Sequence, residues 1–218
     1  MLDLEVLKLR EFLCAHPGMM VRPGGGRDLI VEGDFEFMAL SPAHGEVTDT
    51  FNLQVRIPPR YPRDLPVVYE LGGRIPRDGN YHVNPGGSLC LGSRLRLLQN
   101  VAKSPTLTGF ASTCLVPYLF AVSRKLTHGE SFVFGELAHG SRGEIMDYMD
   151  LLSLKSPDHV LRAIEYLGMK KRRANKLPCP CGCGSRLGRC HFNRKLRGFR
   201  HLADRSWFRS INPSEGLF

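Results

Sequence analysis

Two hydrophobic periodicities divide the chain. Residues 2–14 place Leu2, Leu4, Val6, Leu7, Leu9, Phe12 and Leu13 at the spacing of an amphipathic helix, closed by His16-Pro17-Gly18. Period-two stretches follow. Residues 29–33 and 35–40 predict a short hairpin turning at Gly33-Asp34, and residues 41–45 predict a turn. Val47, Asp49, Phe51, Leu53, Val55 and Ile57 alternate with mostly polar neighbours, which predicts a half-buried strand. Pro58-Pro59-Arg60-Tyr61-Pro62 must break it, because proline cannot donate to a ladder. Residues 66–71 predict a fourth strand.

Helical spacing returns further on. Residues 95–101 predict a helical turn. Within 108–126, Phe110, Cys114, Leu115, Leu119 and Val122 keep helical spacing, with Pro117 as a kink or a boundary and Cys114 in the core. Two more helices are predicted. One spans 142–154. The next is opened by Ser156-Pro157-Asp158, shows an apolar face of Val160, Leu161, Ile164 and Leu167, and ends at Gly168. Glu144, Asp147 and Asp150 recur every three residues and read as a solvated face rather than a metal site. The order of helix, strand meander, irregular loop and further helices predicts an α+β fold.

Composition alters this picture mainly at the C-terminal end. From Lys170 onward there are 13 Lys/Arg against 2 Asp/Glu; the first 169 residues hold 17 against 19. The basic character therefore belongs to a tail, which implies an acidic partner such as nucleic acid or, equally, a solvated basic surface. With 218 residues and 42% hydrophobic content, the chain can form one core plus an appendage. No apolar run approaches the roughly 20 residues of a membrane span, so no membrane role is expected. Residues 1–13 mix charges with leucines, unlike a signal peptide. The seven cysteines, most of them clustered near the C-terminus, fit a reducing cytoplasm and a metal site. Arg22-Pro23-Gly24-Gly25-Gly26 lacks the residues of a phosphate-binding loop and reads as a linker.

The stretch from Tyr81 to Gly92 carries the first candidate chemistry. Cys90 sits between Leu89 and Leu91, six residues after Asn84 of a His82-Val83-Asn84 triplet, with Gly86, Gly87 and Gly92 nearby. Leucines hold the thiol in place, glycines admit other backbone groups, and an asparagine can stabilise a developing oxyanion. These are features of a cysteine nucleophile. The same residues also suit a buried structural cysteine at a strand end.

The second is Cys179-Pro180-Cys181-Gly182-Cys183-Gly184, followed by Cys190-His191. Cys179, Cys181, Cys190 and His191 supply the four soft ligands of a structural zinc site. Phe192, Phe199, Trp207 and Phe208 then alternate with arginines and lysines. They could stack on nucleic acid, cover the zinc module or dock a protein.

Ordered motifs give a resemblance. Residues 1–125 resemble the ubiquitin-conjugating enzyme fold: a helix, a four-stranded meander, Tyr61-Pro62-Arg63-Asp64-Leu65-Pro66 in place of Tyr-Pro-x-x-Pro-Pro, His82-Val83-Asn84 in place of His-Pro-Asn, and Gly87-Ser88-Leu89-Cys90-Leu91 in place of Gly-x-Ile-Cys-Leu. Val83 replaces a proline, and the Asn-to-Cys spacing is two residues shorter than in the eukaryotic enzymes. The resemblance implies Cys90 as thioester carrier, Asn84 as oxyanion stabiliser or loop shaper, and His82 as a loop-holding residue or an aid to proton transfer. Residues 179–191 resemble the SEC-C zinc motif, with Cys183 where that motif has serine and therefore outside the implied ligand set.

Together these imply a catalytic domain over 1–130, a helical extension over 131–169 and a zinc-binding module over 170–218. The whole is similar to the stand-alone conjugating-like proteins of bacterial antiphage operons of the CBASS type. That similarity implies a neighbouring cGAS-like cyclic-nucleotide synthase as partner. Another reading is a catalytically inactive conjugating fold presenting a zinc-stabilised basic tail to protein or nucleic acid. A zinc hydrolase fits poorly, since no His-Glu-x-x-His occurs and a thiolate-rich site has no open position for water.

Overall fold

The period-two stretches form a four-stranded antiparallel sheet in the order β1-β2-β3-β4, with β1 Met19–Arg22, β2 Leu29–Ser41, β3 Gly45–Ile57 and β4 Val67–Glu70. The computed structural model describes residues 4–23, 26–132 and 141–211. Leu2 of the expected first helix, Gly24 and Gly25 of the linker and residues 133–140 of the helical extension lie outside that description. The chain divides into two compact units. One comprises Met1–Gly92 and Asn100–Glu136, the other Ser93–Gln99 and Leu137–Phe218.

In the first unit the sheet buries Val31, Phe35, Phe37, Phe51, Leu53, Val55, Ile57 and Val68 on one face. Two N-terminal helices, α1 (Leu4–Leu7) and α2 (Leu9–Ala15), replace the single helix expected; Lys8 between them is left-handed (φ 51°). Phe12 of α2 stacks on Phe35 at 6.3 Å.

The meander is real, but its strands differ from expectation. Gly33-Asp34 does not turn the chain. The pairing runs straight through it, Gly33 opposite Leu53 and Asp34 opposite Asn52, so residues 29–41 form one long strand. The glycine serves the other edge: Gly33 has φ 141°, and a Cβ there would meet the Gly18 carbonyl oxygen at 2.1 Å. The missing fourth strand is β1, which pairs with β2 from Met19↔Gly33 to Arg22↔Ile30. Only Met19 of β1 is buried, so no alternation marks it in the sequence.

Helix α3 spans Arg94–Lys103, longer than the expected turn. The long helical segment is continuous: α4 (Leu107–Phe110), a π-helical turn (Ala111–Leu115) and α5 (Val116–His128). Pro117 offers no N–H, and its ring would crowd the carbonyl four residues back. The widened turn just before it absorbs this without breaking the helix. Cys114 is buried there as expected, and burial pushes its thiol pKa up.

The second unit has a core of its own. Helices α6 (Ser141–Leu152), α8 (Lys171–Ala174), α9 (Phe192–Arg200) and α10 (Arg205–Ser210) all pack on α7 (Pro157–Gly168). Ser156 caps α7, accepting from the His159 N–H at 3.4 Å. Val160, Ile164, Leu167, Leu187, Leu196 and Phe208 are buried, each contributing about 1.5–3 kcal/mol. Helices 141–168 and the cysteine-rich segment lie together in this compact unit. The acidic row of α6 is not simply solvated: Asp147 is buried, accepts from Ser93 and from Arg96 Nε (2.8 Å), and Arg96 also reaches Asp150 at 3.0 Å.

Candidate active site and candidate metal centre

The first site grows out of the loop after β4. Asp78 caps a short 3₁₀ turn, Gly79–Tyr81, and His82 leaves it in the left-handed region at φ 52°. The chain then folds back as a tight hairpin. Asn84 N–H donates to the Ser88 carbonyl at 2.8 Å, Val83 bridges Leu89, and Cys90 N–H donates to the His82 carbonyl at 2.7 Å. Leu89 N–H donates to the Val68 carbonyl at 2.8 Å, which joins the hairpin to β4. Leu89 is buried, while Cys90 beside it is half-buried and in no disulfide.

This register places His82, not Asn84, directly opposite Cys90. Asn84 lies two residues further toward the tip, about 6–7 Å along a strand. It is exposed, and its side-chain amide donates to Ser88 Oγ at 3.0 Å. The His82 ring packs edge-on against Phe132 with centroids 4.5 Å apart.

Helix α5 braces the same loop. The Tyr118 hydroxyl donates to the Tyr81 carbonyl at 2.7 Å, and Lys125 Nζ donates to the Asn80 carbonyl at 2.8 Å, 5.2 Å from the Tyr81 ring centre. Burial, then the nearby Cys90 and Glu70, push the Tyr118 pKa far above its usual value, so Tyr118 stays a neutral donor. Glu70 is itself buried at the end of β4 and accepts from Gly73 N–H at 2.9 Å. Tyr118 escapes sequence reasoning because, at helical spacing from Cys114 and Leu115, it looks like another core residue. Its hydroxyl is the only hint.

The second site is a knot of four thiols. The Sγ atoms of Cys179, Cys181, Cys183 and Cys190 all lie within 4.8 Å of one another. The pairs Cys179–Cys181, Cys181–Cys190 and Cys183–Cys190 stand at 3.2, 3.6 and 3.6 Å. These separations are far above the roughly 2.05 Å of a disulfide, and the four could hold a metal ion. A short pairing brings them together: Cys179 N–H donates to the Ser185 carbonyl at 2.8 Å and Leu187 N–H to the Leu177 carbonyl at 2.9 Å. Gly182, at φ 78°, lets the chain turn between two of the thiols, and a Cβ there would meet the His159 ring at 2.9 Å.

The grouping takes in Cys183, which lies outside the ligand set that the SEC-C resemblance implies. His191 borders it, with Nδ1 at 3.8 Å from Cys190 Sγ. Burial pushes the Cys179 and Cys181 thiols up, whereas the Ser185 backbone and neighbouring thiols bring Cys183 down to about 7. Three cysteines at alternate positions were the available signal for Cys183. Of the interleaved aromatics, Phe192, Phe199 and Phe208 are buried in this unit's core and Trp207 is half-exposed.

No protein-family model, no curated protein and no solved structure matches the chain. Among the described residues no helix is long and apolar enough to cross a membrane.

Proposed function

We propose that this chain is a ubiquitin-conjugating-like cysteine acyl transferase of a bacterial antiphage operon. The observation that carries this reading is the placement of Cys90, half-buried on a hairpin whose backbone is tied to β4 and whose root is held by Tyr118 and Lys125. A nucleophile needs such a fixed yet reachable thiolate. Its sulfur attacks an activated C-terminal carbonyl of a protein and expels the activating group, forming a thioester. A lysine amine then attacks that carbonyl, the Cys90 thiolate leaves, and an isopeptide bond remains. His82, opposite Cys90, holds the loop through its carbonyl and its packing on Phe132. The Ser88 contact favours loop shaping as the role of Asn84. A free carboxylate does not form a thioester unaided, so the acyl group reaches Cys90 already activated by a nucleotide-dependent partner or activity.

The cGAS-like cyclic-nucleotide synthase of the same operon is the proposed partner, and the cytoplasm the proposed compartment. The metal is zinc in a structural role. Its roughly 2.3 Å bonds to sulfur demand Sγ separations of about 3.8 Å in a tetrahedron, close to those observed. Cys179, Cys181 and Cys190 are ligands, with Cys183 rather than His191 as the fourth, since Cys183 lies within the thiol group.

Co-expression with the operon neighbours tests the proposal. Wild type should carry an adduct on a non-reducing gel that disappears with thiol reductant and in Cys90→Ala. An adduct that survives Cys90→Ala would refute it.

A further inference from the structure

Over residues 170–211 the second unit turns its charged side chains outward and its apolar ones inward. From Lys170 to Ile211 there are thirteen Lys/Arg residues and one acid, Asp204. Eleven of the cations are exposed: Lys170, Lys171, Arg172, Arg173, Lys176, Arg186, Arg189, Arg194, Arg197, Arg205 and Arg209. Among the described residues none of the eleven forms an ion pair.

They are not scattered. Gly188 N–H donates to the Asn175 carbonyl at 3.0 Å and Leu187 N–H to the Leu177 carbonyl at 2.9 Å, and Pro178 bridges Arg186. The two arms of this pairing run directly into the thiol knot, so the group from Lys170 to Lys176 stands alongside Arg186 and Arg189. On α9, Arg194 and Arg197 share the outer face, opposite buried Phe192, Leu196 and Phe199.

Three classes of acidic partner could answer such a surface. A protein interface has an apolar centre, and a membrane-surface element inserts apolar side chains beside its cations. Among the described residues from 170 to 211 no large hydrophobic side chain is exposed. Single-stranded nucleic acid is gripped by stacking on aromatic rings, and three of the four aromatics here are core. What remains is a dense, regular line of phosphates that needs charge and nothing else.

We infer that the basic face around the thiol knot, centred on Arg172, Arg173, Lys176, Arg186 and Arg189, binds the phosphodiester backbone of double-stranded nucleic acid without reading its sequence. The backbone pairing beside the thiol knot holds the two cation-bearing arms in register. This site is independent of the Cys90 chemistry.

The test is fluorescence anisotropy of the full-length, metal-loaded protein with a labelled duplex of about 30 base pairs, titrated at several salt concentrations. Binding should be measurable below about 10 µM protein at about 50 mM salt, and should weaken steeply with salt, with a log–log slope of about −4 or steeper. The triple variant Arg172→Glu/Arg173→Glu/Arg189→Glu should lose at least about tenfold in affinity and flatten the slope by about three. These side chains are exposed, so metal content and circular dichroism should match wild type. An oligo(dT) strand of equal length should bind no more tightly than the duplex. The inference is overturned by no duplex binding under these conditions, by a triple variant that binds like wild type, or by displacement of the duplex with poly-glutamate at equal charge.

Discussion

Cys90 and His82 face each other across a hairpin of nine residues, joined by a 2.7 Å hydrogen bond from the Cys90 amide to the His82 carbonyl. That bond fixes the backbone that carries the thiol. It also puts the imidazole to a structural use, since the ring rests on Phe132. His82→Ala should therefore slow acyl transfer by a similar factor at every pH. A general base would instead show as a lost limb of the pH–rate profile, and that outcome would reassign His82.

Asn84 offers a sharper contrast. An oxyanion donor loses about 10²–10³ in rate on truncation. Tied to Ser88 at the hairpin tip, Asn84 should lose less than about tenfold as Asn84→Ala, and Ser88→Ala should reproduce that loss. Single-turnover transfer from a preformed thioester is the measurement. A loss of 10²-fold or more in Asn84→Ala alone would restore the oxyanion role.

Tyr118→Phe removes one hydroxyl from a buried contact and leaves the Tyr81 carbonyl without that donor. The expected cost is about 1–3 kcal/mol in urea unfolding. The alkylation rate of Cys90 by iodoacetamide should also change, because α5 no longer braces the loop. Lower stability with unchanged Cys90 reactivity would separate Tyr118 from the site.

Much of this was legible in the sequence, and the failures have physical causes. Residues 47–57 alternate cleanly because one face is buried, and Ser156-Pro157 marks the start of α7 by capping chemistry. Gly33 misled because a glycine that turns a chain and a glycine that lets a neighbouring strand come close look alike in one dimension. β1 exists only because β2 offers an edge. The burial of Asp147 against Ser93 and Arg96 depends on packing partners far away in sequence. The SEC-C resemblance leaves Cys183 out because that motif has serine there; three-dimensional proximity places it among the thiols.

Metal removal should be a local event. Val160, Ile164, Leu167, Leu196 and Phe208 give the second unit a core without any ion. Chelation should leave most of the far-UV helical signal while loosening residues 176–191, seen as faster amide exchange. Zinc affinity, measured against a colorimetric chelator, should fall about tenfold or more in Cys183→Ser and stay nearly unchanged in His191→Ala. The reverse order would make His191 the fourth ligand.

Acid should weaken the first unit partly through Asp49. Burial raises its pKa, but hydrogen bonds from Arg74 (2.8 Å) and Ser123 (2.7 Å) outweigh this and hold it below the usual carboxylate value. A depressed folded pKa gives stability that is present above the unfolded value of about 3.9 and is lost as pH falls through the folded one. Asp49→Asn should thus lower the urea midpoint at neutral pH and flatten its decline below about pH 4. Equal declines in both proteins would remove Asp49 from the acid response.

The most direct test of acyl transfer is the intact mass of Cys90→Ser purified from cells that also express the operon neighbours. Serine would turn a short-lived thioester into a more durable oxyester. The account predicts an added mass equal to one neighbour, released by mild base and mapped by peptide sequencing to residue 90. Bare protein in both wild type and variant, with the neighbours intact in the same cells, would contradict it.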